Sequence, residues 1–110
     1  MKMQINYERT TLSVQEEFNS VFPYLRLDFL SKKNMWQNKT LGKFKTGKDI
    51  KGKLTIESYM TVEALEKCFN KIFGLQVQIF RKSGKAWLET TLTNQWTLEE
   101  QNRQGEELSK

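Results

Sequence analysis

Histidine does not occur in this chain, and cysteine and proline occur once each. The first absence removes the commonest general base, the usual activator of a nucleophilic serine or cysteine, and the commonest metal ligand. One cysteine cannot supply the zinc or iron–sulfur spacings, and no D-x-D/N-x-D/N-G loop offers a calcium site. We therefore expect no catalytic centre, no metal and no cofactor. Long apolar runs are also missing. None reaches membrane-spanning length, and the opening stretch MKMQINYERTT has no signal-peptide core. The lone Cys68 lies on an apolar helical face, as a small hydrophobe in a reducing compartment would. Cytoplasmic residence with no membrane partner is the expectation.

What is present suffices for one α+β domain: 110 residues can build a real core without disulfides or metal. The most legible stretch is Thr61–Arg81, TVEALEKCFNKIFGLQVQIFR. Val62, Leu65, Phe69 and Ile72 fall on one helical face, widened by Cys68 and Phe73. Thr61 stands where an N-cap hydroxyl accepts from the first free amides, and Glu63 places negative charge in the first turn. Met60 and Leu65 have the spacing of a hydrophobic staple, and Gly74 is the expected stop. Period two then takes over, with Leu75, Val77 and Ile79 pointing one way and Gln76, Gln78 and Phe80 the other.

An earlier copy of that unit runs from Ser13 to Leu30. Ser13-Val14-Gln15-Glu16 reads as a capping box. Val14, Phe18, Val21 and Phe22 share a face, Pro23 ends the helix, and Leu25, Leu27 and Phe29 alternate with Arg26 and Asp28. FNSVFPYL and FNKIFGL align with one residue of slack, so both halves share helix-then-strand order and aromatic positions. Around them, Lys2–Tyr7 and Gly52–Ser58 alternate as strands, with Met3, Ile5, Leu54 and Ile56 among the inward positions. Lys82-Ser83-Gly84-Lys85 reads as a tight hairpin into a fifth strand over Lys85–Leu92. Thr97-Leu98-Glu99-Glu100 is another capping box, opening a polar helix that runs to Leu108. The order βαββαβ with one further strand and helix predicts a ferredoxin-like sandwich, a single antiparallel sheet with two helices on one face.

Residues 31–53, SKKNMWQNKTLGKFKTGKDIKGK, hold eight lysines against one acid, Asp49, in a chain whose net charge is +5. Segment 31–52 reads as a basic connector. Lys32, Lys33, Lys39, Lys43, Lys45, Lys48, Lys51 and Lys53, with Trp36 and Phe44 interleaved, are candidate contacts for nucleic acid or another polyanion. Lysines neutralise phosphates, and aromatics stack on unpaired bases. The plainer reading is a solvated loop, which the absence of arginine favours. Within it, Gly42–Asp49 misses the phosphate loop G-x-x-x-x-G-K-S/T at its last position. No buried strand precedes it and no periodic helix follows, so it carries no nucleotide-binding expectation.

A two-residue turn in the hairpin would set Phe80 opposite Trp87 on the outward sheet face, a platform for a protein partner or a second copy. The competing expectation is that Trp96, Leu98 and the final helix cover this pair, because monomers seldom leave large apolar patches open. Asp28, Glu57 and Glu89 are expected on the same outward face as solvated carboxylates.

Through FPYLRLDFL, FGLQVQIFRKSG, KAWLETT and WTLEEQN, most of the chain resembles small conserved bacterial proteins of Bacteroidetes type without an assigned function. That resemblance implies no site residues. Acylphosphatases need a glycine-rich loop and an arginine after the first strand, where Glu8-Arg9-Thr10-Thr11 keeps only the arginine; copper chaperones need C-x-x-C there. The function expected is a non-catalytic interaction module that self-associates or docks a protein through Phe80, Trp87 and a sheet edge. Polyanion binding through the 31–53 lysines is the alternative.

Overall fold

The computed structural model describes residues 2–30 and 52–109. Along them run β1 (Lys2–Asn6), α1 (Thr11–Val21), β2 (Leu25–Leu30), β3 (Lys53–Glu57), α2 (Val62–Phe73), β4 (Gln76–Ser83), β5 (Ala86–Glu89), a 3-10 turn over Thr91–Thr93, and α3 (Leu98–Leu108). No helix among these residues is long and apolar enough to cross a membrane.

The strands form two antiparallel sheets, β1–β3 and β2–β4–β5. The expected ferredoxin-like arrangement would place them all in one. Element order alone leaves strand pairing open, and here the internal repeat decides it. Each strand of the first half pairs with its counterpart in the second. Gln4 lies opposite Thr55, and Asp28 opposite Gln78; these are equivalent positions of the two copies. A pair of equivalent antiparallel strands is two-fold symmetric about such a position, so each of these two pairings has an approximate dyad at its centre.

Local rules explain the helices. The Thr61 hydroxyl caps α2 by accepting from the Ala64 amide, and Thr10 caps α1 in the same way from Ser13. α1 therefore starts ahead of the capping box expected at Ser13. Ser13 Oγ instead donates to the Thr10 carbonyl at 2.9 Å and accepts from Arg9 Nε at 3.2 Å. Thr10 stands to β1 as Thr61 stands to β3. The α2 stop falls at Gly74, which adopts φ 67.

Equivalent aromatics fill the interior. Phe18 and Phe22 lie 5.2 Å apart between ring centroids in the first half, and Phe69 and Phe73 lie 6.0 Å apart in the second. Phe29 meets Phe69 edge-on at 5.7 Å. With Met3, Ile5, Leu54 and Ile56 from one sheet and Leu25, Leu27, Val77 and Ile79 from the other, they form one buried cluster. Removal of this apolar surface from water is the main force holding the two sheets and two helices together.

α3 joins the cluster through Leu98 and is fastened by reciprocal capping. α2 donates its Val62 and Glu63 amides to the Trp96 and Asn94 carbonyls at 3.1 and 2.9 Å. α3 donates its Leu98 and Glu99 amides to the Met60 and Ser58 carbonyls at 2.8 and 3.0 Å. Thr97 caps α3 as Thr61 caps α2, and the two threonines pair as an isolated bridge. The amides that a helix start leaves without an internal partner are thus satisfied at both ends of this contact.

Candidate functional site

The hairpin register differs from the expected one. Ser83 lies opposite Ala86, so the two-residue turn is Gly84-Lys85. Gly84 has φ 61, the value a II′ turn requires at its first central position. Phe80 consequently faces Glu89, and Trp87 faces Lys82. The aromatics share one face as diagonal neighbours, both half-buried, and do not form the directly opposed pair.

The final helix is not their cover. It packs over β4 and onto β2, on the face that carries Arg81, whereas Phe80 alternates to the other. A Cβ at Gly105 would lie 2.8 Å from Tyr24 Cβ and 3.2 Å from Arg81 Cγ, so the helix backbone comes as close as glycine permits. Asn102 Oδ1 accepts from the Tyr24 amide at 2.9 Å. Arg81 donates to Gln101 Oε1 at 2.9 Å and its guanidinium stands 5.4 Å from the Trp96 ring centroid. Gln101, fully buried, donates in turn to the Thr93 carbonyl and hydroxyl at 2.7 and 2.8 Å. Arg81 therefore serves the α3 contact.

Strand parity then distinguishes the two outer edges of the β2–β4–β5 sheet. Backbone groups in an antiparallel ladder point alternately toward and away from a given neighbour. Thr90 donates to the Ile79 carbonyl at 3.3 Å, which turns Ala86 and Leu88 toward β4 and leaves the N–H and C=O of Trp87 and Glu89 pointing outward. Neither residue's backbone meets a partner among the described residues. At the opposite edge, Lys82 donates to Tyr24 at 2.9 Å, so Leu25, Leu27 and Phe29 point outward from β2. There Asn19 Nδ2 donates to the Leu25 carbonyl at 2.9 Å and Gln15 Nε2 to the Leu27 carbonyl at 3.1 Å. α1 lies along β2 and covers two of this edge's outward carbonyls with side-chain amides. Among the described residues the β5 edge has no such guard, and Leu88 beside it is 44% exposed.

Of the candidate polyanion contacts, Lys32, Lys33, Trp36, Lys39, Lys43, Phe44, Lys45, Lys48 and Lys51 lie outside the described residues, as does Gly42–Asp49. Lys53 begins β3 opposite Asn6 and is exposed. The three outward carboxylates are not brought together: Asp28 pairs with Arg26 at 2.9 Å, Glu89 stands opposite Phe80, and Glu57 belongs to the other sheet. Among the described residues, no three His, Cys, Asp or Glu side chains group as metal ligands.

One feature escaped the sequence reading. An open depression of about 500 Å³ lies between α2 and the β2–β4 ladder, lined by Leu30, Glu63, Glu66, Lys67, Asn70 and Val77. Burial, reinforced by the neighbouring Glu63 charge, pushes the Glu66 carboxyl up from its ordinary range. The Lys67 ammonium, hydrogen-bonded at 2.7 Å, holds Glu63 down, and Gln95 also donates to Glu63. The Glu63–Lys67 spacing was visible as an i,i+4 pair; the wall opposite it was not. No protein-family model, curated protein or solved structure matches this chain.

Proposed function

We propose that this chain is a non-catalytic interaction module that takes up an extended protein segment along the outer edge of β5, beside the Phe80–Trp87 face. The observation that carries the reading is the asymmetry of the sheet. α1 guards the β2 edge at the Leu27 and Leu25 carbonyls with Gln15 and Asn19, while Trp87 and Glu89 turn two sets of backbone groups outward without partners among the described residues. Main-chain pairing at such an edge supplies affinity, and neighbouring side chains supply selectivity. Natural sheets usually blunt exposed edges, and among the described residues only the β2 edge of this one carries a guard.

A random heptapeptide library displayed on phage tests the idea, with Glu89→Pro as the counter-screen. Proline at position 89 removes an outward N–H while leaving the bonds to β4 intact, the placement sheets tolerate at edges. Enriched peptides should alternate apolar and polar residues and lose binding to the proline variant. Enrichment insensitive to Glu89→Pro, or none, would overturn the reading.

A second reading rests on the concentration of lysine in residues 31–53: binding of nucleic acid or another polyanion. Retention on duplex DNA should then fall with salt at a log–log slope of about −0.9 per phosphate contacted. Absence of retention at low salt removes it.

A further inference from the structure

We infer that the occupant of the β5 edge is a second copy of this chain, paired antiparallel about a two-fold axis at Leu88; this rests on the edge being the docking surface. The inference comes from self-complementarity. Only Trp87 and Glu89 point outward from β5, and they flank Leu88 symmetrically. When two such strands run antiparallel with Trp87 of each opposite Glu89 of the other, every outward N–H and C=O finds a partner. Four backbone hydrogen bonds form, and Leu88 faces Leu88 across the axis as a close pair without a ladder bond of its own. Any shift of register leaves outward groups unmatched.

Charge points the same way. Glu89 and Lys85 make no ion pair among the described residues, and on the parity of Trp87 Lys85 stands just before β5 and Glu89 at its end. Antiparallel pairing sets Glu89 of one copy diagonal to Lys85 of the other, within reach of long side chains, and to the other Glu89 on its opposite flank, so no like charges stand directly opposite. Parallel pairing would stack like charges.

The helices leave room. α3 packs over β4 and onto β2, and the two β4 strands of the pair would be three strand spacings apart, about 14 Å. Two helices of about 10 Å diameter then fit side by side on that face, with both Leu88 side chains between them. The joined sheets make one six-stranded sheet whose outermost strands are the two guarded β2 edges. The open edge is used up and the guarded edges become the ends.

Charge-swapped mixing tests this. Sedimentation velocity of the full chain at stepped concentrations up to the millimolar range should show a monomer–dimer equilibrium. Leu88→Lys and Leu88→Glu should each sediment as monomers, because like charges then meet at the axis, and an equimolar mixture should recover the dimer. Lys85→Glu alone should weaken association about tenfold or more, and adding Glu89→Lys should restore it; both residues are exposed, so folding is not at stake. A wild-type chain that stays monomeric while selected peptides still bind at Glu89 overturns the second-copy inference and leaves the docking reading standing. Dimers that survive Glu89→Pro place the contact elsewhere and sink both. Failure of the mixture and of the double charge swap to recover association rules out the Leu88 register.

Discussion

The first half of the chain, β1–α1–β2, and the second, β3–α2–β4, follow the same path and are finished differently. Each turns from its strand into a threonine-capped helix, and each buries two phenylalanines at corresponding helical positions. Among the described residues, the second half carries β5 beyond its last strand and α3 against its helix start, and the first half has no counterpart of either. In the first half, α1 turns two side-chain amides onto β2. The difference shows how one repeated unit gives a sheet with unlike edges. The repeat sets the core and the strand pairing, and the additions decide which edge stays open.

The sharpest way to break the equivalence is through the core. Phe18→Ala and Phe69→Ala should each destabilise by about 3–5 kcal/mol in urea unfolding, as buried aromatic truncations do. Both rings are fully buried, and Phe69 has an extra edge contact from Phe29, so Phe69 should be the costlier of the two. A loss below about 1 kcal/mol at either position would mean that the halves do not share one core in the way their burial indicates.

Much of this was legible in the sequence, and what failed failed for physical reasons. The faces of α2 and β4, the caps at Thr61 and Thr97 and the stop at Gly74 follow from local periodicity and local hydrogen bonds, and the structure has them. α1 was started too late because Ser13-Val14-Gln15-Glu16 is itself a plausible cap; the position of Thr10 after β1, matching Thr61 after β3, was the better guide. Sheet pairing is a long-range choice that strand order does not make, so the division into two sheets and the β2–β4 pairing were missed. A glycine that fits either central turn position left the hairpin register open, and with it the partner of Trp87. The guarding of β2 by Gln15 and Asn19 could not be read at all, because both look like ordinary exposed helix residues until the strand beside them is known.

Gly105→Ala tests the attachment peculiar to the second half. The added methyl would meet Tyr24 Cβ at 2.8 Å and the Tyr24 carbonyl at 3.1 Å. Overpacking should outweigh the gain in helix propensity and give a net loss of about 1–2 kcal/mol. Amide exchange should quicken in α3 more than in α1. A stabilised variant would show that α3 does not rest on Tyr24.

A smaller effect sharpens the contrast at the helix starts. Thr10→Ala, Thr61→Ala and Thr97→Ala should each cost about 1 kcal/mol, the usual loss for an N-cap hydroxyl. Thr61 and Thr97 also share the reciprocal contact between α2 and α3. Their double replacement should therefore depart from the sum of the singles by about 0.5 kcal/mol or more in a double-mutant cycle. Strict additivity would mean that each threonine caps only its own helix and that the two caps are not coupled through the contact.

The smallest expected effect is in the pH dependence of α2, where neighbouring carboxylates act with opposite signs. Glu66 is pushed up by burial and then by the Glu63 charge, so the folded state holds its proton more tightly than the unfolded chain does. Its contribution is present below the ordinary carboxylate value of 4.5 and is lost as pH rises through the raised one. Glu63, hydrogen-bonded to Lys67, is held down; its contribution is present above the ordinary value and lost as pH falls through the lowered one. Glu66→Gln should leave stability unchanged in acid and raise it slightly at neutral pH, whereas Glu63→Gln should do the reverse and lower it at neutral pH. Because both side chains are only half-buried, salt should shrink the two effects together. Stability curves that stay parallel to wild type for Glu66→Gln from acid to neutral pH would show that this carboxyl is as well solvated as the outward acids of the sheet, and that the depression beside α2 imposes no desolvation on it.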